Sequence, residues 1–355
     1  MTVLSTQADT TTLLDQAIQQ YFEKCINDAT AIDPSYRLLW ETLYGLIRSG
    51  GKRLRPRITL MAYDAFGGKD KSGMIPVAAA QELLHFSLLI HDDVIDRDYT
   101  RYNTLNIAGR YKELYSKFLP DTTDQVHFAH SAAILAGDLM LSGAHELIAL
   151  SDLNQNEKTI AGQLLAHSIF EVAGGELLDT EISFVPYTDG DALKIARYKT
   201  AGYSFKVPLL TGARIAGIPK NKEATLSEFG LALGIAYQLV DDLLGTFGEE
   251  ETTGKSTTSD ITEGKRTFMV EQAINAMTIL EKDRFDKSFG NHEASPSEVE
   301  DVKQLLVSTG AKTKTEQAIK DYAKKAQAAL EELGLDDQHR KAFLDLIHKV
   351  TERAY

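Results

Sequence analysis

Proline placement constrains this chain more than any other feature. The eight prolines stand at 34, 56, 76, 120, 186, 208, 219 and 296, and a proline in a helix interior costs about 3 kcal/mol. The spans 77–119, 121–185 and 220–295 are therefore open to long helices. Within them apolar residues recur at three and four: Leu226, Phe229, Leu233, Tyr237, Val240 and Leu244 draw one helical stripe. There is no sustained apolar/polar alternation and no short Val/Ile run closed by Asn-Gly, so strands are not supported. The expectation is an all-α chain. The polar segment 249–260 reads as a loop, and Ser295-Pro296-Ser297-Glu298 as a capping box after a polar connector around 285–294. Residues 1–12 read as a frayed terminus. No low-complexity linker divides the 355 residues, which are read as one domain.

Charge and cysteine content exclude several functions. With 51 Asp and Glu against 38 Lys and Arg, the net charge is −13. That argues against nucleic acid or an anionic membrane surface as the main partner. A lone Cys25 leaves no disulfide framework and no multi-cysteine zinc site, and it fits a reducing compartment. No charge-free apolar run reaches the roughly 18 residues of a membrane span, and the first sixteen residues lack the basic-then-apolar pattern of a signal peptide. A soluble, acidic, cytoplasmic protein is expected.

One internal echo bears on chemistry. Leu89-Ile90-His91-Asp92-Asp93-Val94-Ile95-Asp96 is matched by Gln238-Leu239-Val240-Asp241-Asp242-Leu243-Leu244-Gly245. Asp92 and Asp96, four apart, project from one helix face and repel each other. Asp93 crowds a third carboxylate beside them, against apolar neighbours, an arrangement that is costly without a cation. Oxygen-only donors suit Mg²⁺, which takes one or two carboxylates and completes its shell with water and phosphate. A single cluster of this kind is also what a solvated acidic helix end looks like; the second pair, Asp241-Asp242, favours metal. Gly234, Gln238, Asp241 and Gly245 form a small, polar stripe suited to a polar cavity.

Bases stand opposite the acids. Gly50-Gly51-Lys52-Arg53-Leu54-Arg55-Pro56 sets three cations after a glycine pair, a phosphate-gripping pattern or else a basic surface turn. Arg101, Lys199, Lys255 and Gly264-Lys265-Arg266-Thr267 add more. Thr-Gly-Lys-Ser around Lys255 lacks the upstream glycine of a P-loop. His85 lies two helical turns before Asp92 on the same face, either cavity-facing or packed in the core. Metal-holding acids with scattered bases imply a diphosphate substrate, and the apolar helices beneath imply that the rest of it is hydrocarbon.

With these motifs in this order, the chain resembles the all-trans polyprenyl diphosphate synthases of the farnesyl/geranylgeranyl type, over roughly Gly50 to Thr267. The resemblance implies the all-α isoprenoid synthase fold, a single bundle of long helices around a central cavity, in a homodimer. Gly51-Lys52-Arg53-Leu54-Arg55-Pro56 matches the family's GKRxRP, implying that Lys52, Arg55 and His85 bind isopentenyl diphosphate. The first aspartate-rich motif is Asp92-Asp93-Val94-Ile95-Asp96, with Asp92, Asp96 and Asp93 at the metals and Arg101 on the allylic diphosphate. Gly175-Glu176-Leu177-Leu178-Asp179 resembles GQxxD and brings Asp179 near the metals. Lys199-Thr200 matches the pair that steadies the developing cation and the leaving diphosphate. Gln238-Leu239-Val240-Asp241-Asp242 resembles the second motif, with Asp241 and Asp242 at metal and Gln238, Lys255 and Lys265 on the diphosphate side. Three Mg²⁺ ions are implied, with Mn²⁺ able to replace them. The implied substrates are isopentenyl diphosphate and dimethylallyl, geranyl or farnesyl diphosphate, joined by ionisation, condensation and elimination.

Three positions depart from the family pattern: Gly245 stands where many relatives have Asp, Tyr102 follows Arg101 in place of a second arginine, and Glu176 replaces Gln. Product length follows the depth below Asp92. Ser87 and Leu88 occupy the positions where farnesyl-producing relatives often carry an aromatic floor; Ser87 leaves an opening and Leu88 blocks it in part. Geranylgeranyl diphosphate is the expected product, ahead of farnesyl or longer chains. A class I terpene cyclase fits less well, because Gly245 breaks its second motif and it has no use for an isopentenyl diphosphate site. A non-catalytic subunit of a heteromeric synthase would have lost the acids retained here.

Overall fold

In the computed structural model of the protein, residues 3–101, 104–182, 184–185, 190–248 and 258–352 are described. They are helical apart from turns and one short hairpin. The chain groups into two compact units, Met1–Leu165 with Thr211–Gly217, and Ala166–Leu210 with Ile218–Tyr355. Two of the three crossings between the units fall inside helices, so no polar linker or shift in composition marks them.

The first unit carries α1 (Val3–Thr30), α2 (Pro34–Ser49), α3 (Leu54–Ala65), α4 (Met74–Ile95), β1 (Thr100–Arg101), β2 (Thr104–Leu105), α5 (Ile107–Tyr115) and α6 (Thr122–Leu150). Helical backbone begins at Val3, inside the segment expected to fray, because no glycine or proline precedes Pro34 to break it. Asp33 starts α2: its carboxylate accepts the Ser35 N–H at 2.7 Å while Pro34 takes the first helical position. Leu39, Trp40, Leu43 and Ile47 form the buried stripe of α2. Phe22 of α1 stacks on Tyr44 at 5.3 Å and meets Trp40 edge-on.

α4 and α6 pack along an extensive face. Both are long and apolar enough to cross a membrane by length and composition, and α4 spends that apolar surface on burial, from Met74 through Ile90. The matching face of α6 is small: Ala129, Ala132, Ala133, Ala136, Gly137 and Ala144 are buried. Such residues let two helix axes approach closely. At Gly137 the approach is so close that a side chain would strike the His91 imidazole. After α4 the β1–β2 hairpin pairs Thr100 with Leu105 and Arg101 with Thr104. Two-residue strands are too short to display alternation, which is why the sequence reading contained none.

α7 (Gln155–Glu181) and α9 (Val207–Ile215) each contribute to both units. The second unit adds α8 (Asp191–Ile195), a π-helical stretch (Ala196–Lys206), a 3₁₀ turn (Lys220–Lys222), α10 (Glu223–Phe247), α11 (Ser259–Thr262), α12 (Phe268–Ile274), α13 (Ile279–Ser288), α14 (Pro296–Ser308), α15 (Ala311–Leu333) and α16 (Asp337–Thr351). The predicted stripe of α10 is buried at Leu226, Phe229, Leu233 and Val240 and half-buried at Tyr237 and Leu244. Phe229 meets Phe343 of α16 edge-on at 5.4 Å, and Val240 and Leu243 join a core with Phe285, Val302, Leu306 and Ile319. The Ser295/Glu298 capping box forms as predicted. A second one, Thr278/Glu281, opens α13, which runs on through 288 into the expected connector.

The π-helical stretch has a local cause. In α-geometry the ring of Pro208 would clash with the carbonyl four residues earlier. The wider turn, in which the Val207 N–H reaches the Gly202 carbonyl, relieves that clash. Glycines make room for it: a side chain at Gly175 of α7 would strike the Tyr198–Lys199 backbone, and one at Gly234 of α10 would strike Ala201.

Candidate active site

α4 delivers the first acidic cluster at its C-terminal end. Asp96 is the C-cap, and the last turn holds no basic residue. Carboxylates at the negative end of a helix dipole are destabilising, so a cation is the natural complement. Asp92 and Asp96 remain partly accessible, whereas Asp93 is only 4% exposed. Arg101 on β1 explains the difference: its Nε and Nη2 donate to Asp93 Oδ1 at 2.8 and 2.5 Å, and Nη2 reaches Asp92 Oδ2 at 3.3 Å. Burial pushes the Asp93 carboxyl up to about 6 against the pull of the Arg101 guanidinium, helped by the charges of Asp92 and Asp98. Asp93, expected among the metal-binding acids, is thus the partner of Arg101.

The basic loop after α2 divides its labour. Lys52 is exposed and Arg55 is buried in the first turns of α3. Arg53 does not face outward: with left-handed backbone (φ 49°), it donates to the Ile47 carbonyl at 2.8 Å, the Gly50 carbonyl at 3.3 Å and Glu82 Oε1 at 2.8 Å. It is a clamp tying the loop to α2 and α4. His85 follows Glu82 on α4, and burial together with the Arg55, Arg101 and Arg53 guanidiniums holds its pKa well below the usual histidine range. A neutral imidazole there offers one donor and one acceptor. Lys52, Arg55 and His85 all belong to the first unit, as does the α4 cluster.

Ser87 differs from expectation. It is 1% exposed, and its hydroxyl donates to the Gly137 carbonyl of α6 at 2.8 Å. It therefore ties α4 to α6. Leu88, half-buried, stays within about 40° of Asp92 on the helix surface.

The second unit assembles another set around the π-helical stretch. Lys199 Nζ donates to Asp179 Oδ2 at 2.5 Å and Glu176 Oε1 at 3.0 Å, so the charge added where relatives carry Gln is taken up by Lys199. The Thr200 hydroxyl donates to Gln238 Oε1 at 2.5 Å, and Gln238 Nε2 donates to Asp242 Oδ1 at 2.8 Å. Asp241 is exposed, while Asp242 is partly buried. Burial drives the Asp242 carboxyl well above the usual range. The Gln238 hydrogen bond opposes that shift, and the neighbouring charges of Asp260, Asp241 and Asp179 reinforce it. Lys265 lies 3.2 Å from Glu263 and 3.8 Å from Asp260. Lys255 and Tyr102 fall outside the described residues.

Gly234 and Gly245, two members of the expected stripe, make room for close packing. A side chain at Gly245 would collide with the Asp260 carboxylate, which lies against the very position where many relatives carry an acid. Asp260 and Arg53 are the participants that sequence reasoning missed. Asp260 was hidden at the end of a polar Thr/Ser run and Arg53 among three similar cations; the one available signal was Asp260's place four residues before Gly264-Lys265.

The donor chemistry fits a hard divalent ion. Every acid here offers oxygen only, and burial, reinforced by the charges of Asp260, Asp241 and Asp179, raises the Asp242 carboxyl. Among the described residues no three His, Cys, Asp or Glu side chains converge on one point. Mg²⁺ sites on phosphate substrates need only one or two carboxylates, the remaining positions being filled by water and phosphate oxygens.

Comparison with known proteins places this geometry. The family model for polyprenyl synthetase matches residues 37–306. A geranylgeranyl diphosphate synthase of Sulfolobus acidocaldarius is 35% identical over 79% of this chain and 81% of its own. A geranylfarnesyl diphosphate synthase of Aeropyrum pernix is 30% identical over 91% of this chain and 95% of its own. Among solved structures, geranylgeranyl pyrophosphate synthase from Corynebacterium glutamicum, complexed with isoprenyl diphosphate and magnesium, superposes with a TM-score of 0.91. It is 28% identical, and the match covers 97% of this chain and 98% of that one.

Proposed function

The chain belongs to the polyprenyl synthetase family, and on that premise we propose that it is a prenyltransferase making geranylgeranyl diphosphate from isopentenyl diphosphate and an allylic diphosphate. One observation carries the reading: accessible acids at Asp92, Asp96 and Asp241 coexist with a separate basic set of Lys52, Arg55 and His85. A reaction on a single diphosphate has no use for the second set, which weighs against a cyclase. A subunit without activity would have no use for the acids.

Asp92 and Asp96 on α4 would hold Mg²⁺, as would Asp241 on α10; three ions are expected, with Mn²⁺ able to substitute. Mg²⁺ held there would supply Lewis-acid withdrawal of charge from the allylic diphosphate. Arg101 in the first unit and Lys199 and Lys265 in the second are the described cations suited to the oxygens of that leaving group, with Lys255 expected to join them. Asp179 and Glu176 hold the Lys199 ammonium in place. Lys199 and Thr200 steady the developing cation and the leaving diphosphate, and Gln238, which accepts the Thr200 hydroxyl, stands on the diphosphate side. Lys52 and Arg55 grip isopentenyl diphosphate, with neutral His85 as a hydrogen-bond donor. Its double bond attacks the allylic cation, and the proton then lost passes to the departing diphosphate. Apolar helix faces exclude the water that would quench the cation.

The protein works as a soluble, cytosolic homodimer. Ile134 and Leu135 on α6 and Phe170 and Leu177 on α7 are large apolar residues left 48–79% exposed, as a subunit interface would leave them in one chain. The decisive experiment incubates the purified chain with Mg²⁺, isopentenyl diphosphate and, in turn, dimethylallyl, geranyl and farnesyl diphosphate, then extracts and sizes the product. Geranylgeranyl diphosphate is expected. Diphosphate release without isopentenyl diphosphate would point to a cyclase, and no turnover to a partner-dependent subunit.

A further inference from the structure

The helical run that carries Lys199 and Thr200 begins without a cap of its own. α8 passes directly into the π-helical stretch, and its N-cap is Gly190, left-handed at φ 90° and without a side chain to accept the first N–H groups. Glu271 of α12 supplies the missing acceptors. Its Oε1 accepts the Gly190 N–H at 2.7 Å and its Oε2 the Ala192 N–H at 3.3 Å. The side chain is 2% exposed, so these bonds are made out of contact with solvent. A carboxylate at this end also suits the dipole of the run.

The backbone of Glu271 is tied to the basic loop. Thr267, which closes Gly264-Lys265-Arg266-Thr267, caps α12 by accepting the Val270 N–H at 3.3 Å, and the Glu271 N–H donates to the Thr267 carbonyl at 2.9 Å. One residue thus joins, within the second unit, the loop of Lys265 to the run of Lys199. We infer that Glu271 is a positioning residue: it pins the start of this run and so sets where Lys199 and Thr200 are presented.

The inference deepens the proposed prenyl transfer and rests on it for its catalytic meaning. A π turn is wider than an α turn, and it slides along a helix when neighbouring bonds exchange one carbonyl partner for the next. Each such step rotates the side chains it passes. Pinning the N-terminal end removes that freedom, so that Asp179 and Glu176 meet an ammonium already in place. Lys199 follows Ala192 by seven residues, and Glu271 acts on it through the backbone.

The test uses the full chain and two readouts, amide hydrogen exchange over residues 190–206 and steady-state kinetics. Glu271→Gln keeps the size of the side chain but offers one acceptor oxygen in place of two, and Glu271→Leu offers none. Exchange should quicken from Gly190 through Thr200 in both. The expected fall in kcat is about tenfold for the glutamine variant and about 10²-fold for the leucine variant, as for small misplacements of a reacting group. KM for isopentenyl diphosphate, whose proposed site is in the first unit, should stay within about twofold. In a Lys199→Ala background Glu271→Gln should cost less than about twofold more, because its effect runs through Lys199. Ser295→Ala, which opens the α14 capping box, should lower the melting temperature without changing kcat, and so separates misplacement from general loosening. Wild-type kcat with only a lower melting temperature in Glu271→Gln, or a loss that multiplies fully with that of Lys199→Ala, would overturn the assignment. Failure of the wild-type chain to form any prenyl product would instead refute the prenyl transfer reading. Exchange would still decide the structural part, since unchanged protection in Glu271→Gln would show that the carboxylate pins nothing.

Discussion

Arg53 places its Nη1 2.8 Å from Glu82 Oε1, in a pair whose side chains are only 12% and 5% exposed. The pair links the basic loop to α4 three residues before His85, so one contact sets both parts of the proposed isopentenyl diphosphate site. Arg53→Ala would leave a buried carboxylate without its cation and should cost about 3 kcal/mol of stability. Arg53→Met with Glu82→Leu should recover most of it. Denaturant unfolding measures both, and a loss under 1 kcal/mol in the single variant would show that the pair holds nothing.

Metal dependence should separate Asp92 and Asp96 from Asp93. Chelation is expected to stop turnover and Mg²⁺ to restore it. Asp92→Asn and Asp96→Asn should each lower kcat by about 10²-fold or more and raise the Mg²⁺ needed. Asp93→Asn should chiefly lower thermal stability, since its carboxylate is committed to Arg101. An unchanged Mg²⁺ titration in Asp92→Asn would contradict the metal role.

Gly245→Asp, which restores the acid many relatives carry, should harm this protein. The new side chain meets the Asp260 carboxylate, so about 1–3 kcal/mol of overpacking is expected, with added charge repulsion. Gly245→Asp combined with Asp260→Gly should recover stability. Equal stability of the single variant and the wild type would show that the two positions do not compete.

Product length should respond to Leu88, not to Ser87. Leu88→Ala is expected to shift the product toward longer chains. Ser87→Phe should destabilise the fold, because the hydroxyl is buried on the Gly137 carbonyl. Product sizing alongside a melting curve distinguishes these effects. A stable Ser87→Phe variant making shorter product would reverse the assignment.

Acid should destabilise the protein partly through His85. Its folded-state pKa is depressed, so below about pH 6.5 the unfolded chain binds a proton that the folded one resists. The stability His85 contributes is complete above that pH and is lost as pH falls through its folded pKa. His85→Gln should therefore flatten the decline in stability between neutral and acid pH. An identical slope in both proteins would mean that His85 titrates normally.

Much of this was legible in advance for physical reasons. The stripe on α10, the Ser295 cap and the acidic pairs are local patterns, spaced by helix geometry, and the structure contains them where the sequence has them. What stayed hidden depends on contacts remote in sequence. Arg53 and Arg55 look alike until Glu82, twenty-nine residues away, engages one of them. Asp92 and Asp93 look alike until Arg101 buries the second. Ser87 looked like open space because its partner is a carbonyl fifty residues on. Charge type and spacing locate a cluster; only the tertiary neighbour tells which of two adjacent identical residues faces outward.

The π-helical stretch gives this protein an unusual distribution of mutational tolerance. A turn wound one residue wide has little to hold it open from within, and here it is held by the absence of side chains at Gly175 and Gly234. A methyl group at either place would push on the backbone that carries Lys199 and Thr200. Among the positions least free to drift over evolutionary time, then, are two that carry no functional group, and a lineage could lose its chemistry by acquiring an alanine.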